Sequence, residues 1–291
     1  MKKRVLTLLA GLLALGTASY AFDGAIMHEF RLEDNNRAEG RNIEWTLAKG
    51  YLNLTDRIRF DFDVDKDIYL KSNDHKELEG WDTAFGINIR GGQFDLLGYT
   101  WQNNNYFGFE WDAKESRGEL GNESADMITS KEKYYFSPRI SAQVTDWTWF
   151  QIDPRFTVEN APGKKDEYMD LRFQIATDWG NGWDNFMEVY NYIGGEDRFG
   201  SDYQLEVENY LAYTKQLGDT NFYSWTEFGV EAYDMANNER DSYVSVYADP
   251  QLQYRGEIGS VAITPYVGYT MYEGDDNFQQ LETGIKFKSK F

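Results

Sequence analysis

The sequence predicts an all-β fold, a transmembrane antiparallel β-barrel of about fourteen strands, within a range of about twelve to sixteen, with short periplasmic turns and longer extracellular loops. Three observations predict it. Segment after segment alternates apolar and polar residues with the period of two that a strand imposes. Aromatic residues are in excess, with 21 Tyr, 19 Phe and 9 Trp, and aromatic side chains favour strands. Short turn signals recur at intervals of roughly one hairpin.

The N-terminus is set apart first. Lys2, Lys3 and Arg4 precede an apolar run from Val5 to Leu15, and Ser19-Tyr20-Ala21 places small residues where a signal peptidase cuts. This is the pattern of a secretory signal peptide over residues 1–21, leaving 22–291 as a single barrel domain. The run is too short for a spanning helix, and no later run approaches the roughly 20 residues one requires. The chain has no Cys, so neither disulfides nor thiolate metal sites are available. Its formal net charge is −20, and removal of Lys2, Lys3 and Arg4 makes the remainder more acidic still. Bulk attraction to nucleic acid is thereby excluded. The mean hydropathy of −0.66 suits a barrel, in which only every second strand residue meets lipid.

In order, the first strand is Ile26–Glu33, with Ile26, His28, Phe30 and Leu32 on one face. The second runs from Ile43 to Leu54, with a bulge at Lys49-Gly50. The third is the clearest: Ile58, Phe60, Phe62 and Val64 alternate with Arg57, Arg59, Asp61, Asp63 and Asp65. A fully charged face opposite a fully apolar one suits water inside and lipid outside. Trp81–Arg90 repeats the form. Hairpins follow over Tyr134–Val144 and Trp147–Val158, Tyr168–Thr177 and Trp183–Ile193, Tyr203–Thr214 and Asn221–Tyr233, and Tyr243–Tyr254 and Ile258–Tyr272. Short turns fall near residues 56, 91, 146, 180, 218 and 256, and polar stretches over 34–42, 70–80, 114–132, 159–167, 194–202, 234–241 and 273–277 read as outer loops. Between Phe94 and Trp111 the apolar parity changes across Asn103-Asn104-Asn105. Either one long bulged strand lies there, or a short strand, a turn, and a segment over 101–132 that folds elsewhere, into the interior or as a long outer loop.

The closing strand is Leu281–Phe291. Leu281, Ile285, Phe287 and Phe291 face one way and Glu282, Lys286, Lys288 and Lys290 the other. It should pair with Ile26–Glu33 and so remove both sheet edges.

Little in the chain could carry chemistry. There are two histidines, His28 and His75, and neither sits in a nucleophile signature. No catalytic residue, metal site or cofactor is predicted. Glu273-Gly274-Asp275-Asp276-Asn277 is acidic but lacks the order of an EF-hand loop. The working surface is the inward face, with Arg57, Arg59, Asp61, Asp63, Asp153, Arg155, Asp170, Arg172, Glu188, Glu206, Glu208, Glu227, Glu282 and Lys286 lining a pore. Acidic and basic walls would oppose each other there, and the acidic excess favours cations.

Taken together, these features resemble a Gram-negative outer-membrane porin. Within that class, Asp241-Ser242-Tyr243-Val244-Ser245-Val246-Tyr247-Ala248-Asp249-Pro250-Gln251-Leu252-Gln253-Tyr254 and Gly284-Ile285-Lys286-Phe287 resemble the fusobacterial major outer-membrane porin family. The Pro-rich segment that can follow the signal peptide in that family is missing. The resemblance implies an outer-membrane diffusion channel for small hydrophilic solutes, often trimeric. The implied partners are outer-membrane lipid, lipopolysaccharide, and the barrel-assembly machinery, which reads a terminal aromatic, here Phe291. The alternatives are a non-conducting structural or adhesive barrel, a barrel hydrolase, or an oligosaccharide-specific channel.

Overall fold

The computed structural model describes residues 23–36, 41–71, 77–117, 126–194, 203–233, 243–274 and 277–291. Among them fifteen strand segments form one sheet. These are β1 (Asp23–Asn35), β2 (Arg41–Asn53), β3 (Ile58–Lys71), β4 (Glu77–Leu96), β5 (Tyr99–Arg117), β6 (Asp126–Thr145), β7 (Thr148–Ala161), β8 (Lys164–Gly180), β9 (Trp183–Gly194), β10 (Tyr203–Gln216), β11 (Phe222–Tyr233), β12 (Tyr243–Tyr254), β13 (Gly256–Ile258), β14 (Val261–Glu273) and β15 (Phe278–Lys290). The short β13 continues β12 past Arg255, and both pair with β14. The fifteen segments are therefore fourteen staves.

Each stave pairs antiparallel with its sequence neighbours, and β1 pairs with β15. The ring is closed, and the fold class read from the sequence is the one observed. The seam runs in unbroken register from Ala25 opposite Lys290 to Asn35 opposite Gln280. Gly24 and Phe291 exchange both backbone hydrogen bonds beyond it. The Phe291 ring packs against Ala48, Leu52 and Phe62.

The two faces of the sheet differ in the opposite sense to a water-soluble domain. Among the described residues thirteen polar or charged ones are buried, including Ser137, Asp153, Asp170, Glu188, Ser245 and Glu282. Register and parity place every one on the inward face. Exposed large apolar side chains within the strands, such as Phe30, Ile87, Phe107, Phe136, Phe228, Val246, Met271 and Leu281, all take the outward parity. Full burial of one such side chain is worth roughly 1.5–3 kcal/mol. An apolar band of this extent in water would be strongly unfavourable, and hydrocarbon is the medium that suits it.

Glycine makes the wall smooth at particular points. Gly108 lies opposite Tyr135, Gly229 opposite Tyr247 and Gly284 opposite Tyr266. An added Cβ at Gly108 would stand 2.1 Å from the Tyr135 ring, and one at Gly229 1.9 Å from the Tyr247 ring. These tyrosines therefore lie flat against the backbone of the next stave.

Four expectations are corrected. The turn placed near residue 91 is a bulge: the register shifts between Arg90 and Gln93, through Gly91-Gly92. That extra residue moves the outward parity of β4 from odd at Ile89 to even at Phe94, and the change noted between Phe94 and Trp111 arises because a turn puts them on different strands. The turn itself is Leu97-Gly98, both at positive φ (55° and 82°). The segment 101–132 does not fold into the interior where it is described. β5 and β6 pair from Trp101–Ala142 to Arg117–Asp126 and continue the wall, while 118–125 lies outside the described residues. The stretch 159–167 is strand on both sides of Pro162-Gly163, with Gly163 at φ 78°. Finally, the β2 bulge falls between Thr46 and Ala48 rather than at Lys49-Gly50.

Candidate functional site

The inward face is the candidate site, and each residue predicted for it falls on that face, except that Arg57 sits in the turn before β3. What sequence could not supply is how the charges are grouped. They fall into three sectors.

The first sector is the seam. Arg31 of β1 is a hub: its Nε stands 2.9 Å from Glu33, one terminal nitrogen bonds Glu44 on β2, and the other lies 3.7 Å from Glu282 on β15. Lys286 lies 3.5 Å from Glu29 and 5.0 Å from the centre of the Tyr266 ring. Glu282, almost fully buried, also accepts a hydrogen bond from Gln251 at 2.6 Å. Next to it, Lys49 on β2 holds Asp63 on β3 at 2.7 Å, and within β3 Arg59 holds Asp61 at 2.9 Å.

The second sector is an arginine ladder on β6, β7 and β8. Arg139, Arg155 and Arg172 lie over the rings of Tyr106, Tyr135 and Tyr190 at 4.3, 4.5 and 4.7 Å. A guanidinium over an aromatic face gains cation–π attraction. Buried carboxylates balance the ladder. Arg139 holds Asp153 at 2.9 Å and Arg172 pairs with Asp170 and lies 3.7 Å from Glu188. Ser137 donates to Asp153 from the side.

The third sector, β9 to β12, is different. Its inward positions carry Asp184, Glu188, Glu206, Glu208, Glu227, Glu231 and Asp249, and the one inward cation on these staves among the described residues is Arg255, just past β12, which lies 4.3 Å over the Tyr223 ring and bonds Gln253. Tyrosine hydroxyls hold three of these carboxylates. Glu208 accepts from Tyr210 at 2.7 Å, Tyr190 at 3.2 Å and Tyr233 at 3.4 Å. Glu231 accepts from Tyr233 at 3.0 Å and Tyr272 at 3.1 Å, and Glu227 from Tyr247 at 2.6 Å. A neutral donor fixes a carboxylate without cancelling its charge. Glu206 is held by Gln204 at 2.7 Å.

The walls thus differ from the simple opposition expected of them. In a ring of fourteen, the arginine ladder on β7 and β8 stands seven staves from β15 and β1, which carry Lys286 and Arg31. The acidic sector faces β3 and its neighbours, where Asp61 and Asp63 are paired with Arg59 and Lys49.

Sequence reading missed Arg31, Arg139, Glu231, Asp249 and the inward tyrosines. The parity signal was present: Tyr210 shares its face with Glu206 and Glu208, and Arg139 with Ser137. His28 faces outward and its Nδ1 is bonded to the Leu47 carbonyl oxygen, while His75 and residues 275–276 of the acidic loop lie outside the described residues.

Solved structures of other barrels align over nearly the whole chain. One, described as a bacterial polysaccharide outer membrane secretin, has a TM-score of 0.50 at 7% identity and covers 92% of this chain and 98% of its own. The CymD monoaromatic hydrocarbon channel gives 0.50 at 9% identity, covering 93% and 88%. The chain has the outer-membrane β-barrel fold. CdiB from Acinetobacter baumannii gives 0.53 at 8% identity, with 92% of this chain matched to 60% of that one. At such identities the likeness extends to the fold alone. No family model and no curated protein matches. The fusobacterial resemblance therefore rests on the segments 241–254 and 284–287 themselves.

Proposed function

We propose that the barrel is an outer-membrane porin, a passive diffusion channel for small hydrophilic solutes and ions with a modest cation preference and no catalysis. The observation that carries this reading is the inverted partition of the wall, with carboxylates and guanidinium groups buried inside and large apolar side chains exposed outside. Eight staves already enclose a side-chain-filled interior, and the lumen widens roughly linearly with stave number. Each stave is packed against its ring neighbours, and no described segment crosses the lumen. Arg57, Arg59, Asp61, Asp63, Asp153, Arg155, Asp170, Arg172, Glu188, Glu206, Glu208, Glu227, Glu282 and Lys286 line the path on this reading. The sign of selectivity follows from the third sector, where tyrosine hydroxyls hold Glu208, Glu227 and Glu231, whereas the seam and the ladder pair their carboxylates with arginine and lysine.

Export through the periplasm by a signal peptide over 1–21, insertion into a Gram-negative outer membrane with Phe291 read by the assembly machinery, contact with lipopolysaccharide, and assembly as a homotrimer complete the proposal. The test is conductance of the purified protein in a planar bilayer. Stepwise current with a cation-selective reversal potential in a KCl gradient is expected. Absence of conductance would favour a structural or adhesive barrel, and anion selectivity would remove the assigned preference.

A further inference from the structure

One row of the third sector rises through the full height of the barrel. Phe186, three residues beyond Trp183 at the turn end, is in register with Tyr210, then Gly229, Tyr247 and Tyr272, and Tyr272 with Phe278 beside the opposite loop. The one position without a ring, Gly229, is covered by Tyr247. The rings touch in sequence. Phe186 stacks on Tyr210 at 6.4 Å, Tyr210 meets Tyr247 at 6.1 Å, Tyr247 stacks on Tyr272 at 6.2 Å, and Tyr272 on Phe278 at 4.9 Å. A recess of about 470 Å³ opens over it, lined by Tyr210, Glu227, Glu231, Tyr247, Tyr272 and Phe278 among others.

Two rows of acid flank the aromatic row. On one side Glu188, Glu208 and Glu231 stand directly opposite one another on β9, β10 and β11. On the other, Asp184, Ala212, Glu227 and Asp249 are in register. Like charges directly opposite across a sheet destabilise it, so packing alone gives no reason for this line. Ser245 continues the first row opposite Glu231, is 1% exposed, and its hydroxyl has no hydrogen-bond partner.

We propose that this row is a binding and conduction track for extended organic cations carrying two or more ammonium groups, such as linear polyamines. Aromatic faces attract ammonium by cation–π contact, and Glu208, Glu231 and Glu227 in the flanking rows are held by tyrosine hydroxyls, neutral donors that leave room for a cation to approach. The repeat also fits. Neighbouring staves are about 4.8 Å apart, close to the roughly 5–6 Å between ammonium groups joined by three or four methylenes. A neutral sugar could stack on the same rings but would leave the flanking carboxylates unused. The inference deepens the channel reading and rests on it, since a track through the wall has use only in an open lumen.

The test is calorimetric titration of spermidine into the detergent-solubilised full chain, with maltotriose as the neutral probe, alongside single-channel recording. Spermidine should bind and block current from either side, and maltotriose should do neither. Glu208→Gln with Glu231→Gln keeps the acceptor for each tyrosine hydroxyl and should weaken spermidine binding by about tenfold or more. Tyr272→Leu, which uncovers no glycine, should weaken it by about three- to tenfold while leaving the charge intact. Binding unchanged in both variants, or equal binding of maltotriose, would overturn the track. A chain that conducts without binding spermidine loses the track alone, whereas one that binds spermidine and passes no current loses the channel.

Discussion

Arg139 on β6 holds Asp153 on β7 at 2.9 Å, with the carboxylate side chain 2% exposed and the guanidinium side chain 17% exposed. The acid is shut off from water, while the base keeps some access to the lumen. Removing the acid leaves a guanidinium that water can reach; removing the base leaves a buried carboxylate with Ser137 and a distant Arg155 (3.9 Å). The two substitutions are therefore unequal. Arg139→Met should cost about 2–4 kcal/mol and Asp153→Asn about 1–2 kcal/mol, measured as urea midpoints for folding into lipid vesicles.

Closure can be locked covalently. Gly24 and Phe291 form a hydrogen-bonded pair, so by alternation Met27 and Lys288, which are opposite in register, form a non-hydrogen-bonded pair with close Cα atoms. The chain has no Cys to compete. Met27→Cys with Lys288→Cys should oxidise to an intramolecular disulfide. Its mark is a faster-migrating denatured band on non-reducing gels, absent when Lys288→Cys is combined with His28→Cys, which faces outward.

Adjacent residues on one stave should respond in opposite ways. Phe228 is 45% exposed on the outward face, and Glu227 points inward. Phe228→Arg should destabilise the folded state by about 2–4 kcal/mol if placed near mid-bilayer. Glu227→Gln, which can still accept from Tyr247, should change stability by less than about 1 kcal/mol. Vesicle refolding curves of both variants read the contrast directly.

Gly229 admits no side chain without displacing Tyr247. Gly229→Val should cost about 1–3 kcal/mol through overpacking and push the Tyr247 ring into the lumen. The check is paired: a lower midpoint for heat-induced unfolding on gels and a reduced single-channel conductance. Gly92, which has open space around it, is the control, and Gly92→Ala should leave conductance unchanged.

Much of the barrel was legible because its alternation is local. Arg57–Asp65 announces its two faces without reference to any other strand, and the seam follows once both terminal strands are read. The turn near residue 91 was misplaced for an equally local reason. Gly91-Gly92 carries strong turn chemistry but only inserts a bulge, whereas the true turn uses Leu97 at φ 55°, a residue with no turn signature. Inward charges could be found by parity. Their partners could not, because Glu208 meets Tyr190, Tyr210 and Tyr233 across three staves, and only register brings those together.

The climbing register has one more consequence. Because strands in a closed barrel tilt against its axis, residues that are neighbours in register differ in depth. The row from Phe186 to Phe278 is a screw thread, not a vertical stripe. A solute that keeps contact with it must turn about the barrel axis as it advances, presenting the same side to the wall throughout. One that travels straight down the axis would meet each sector only at its own depth.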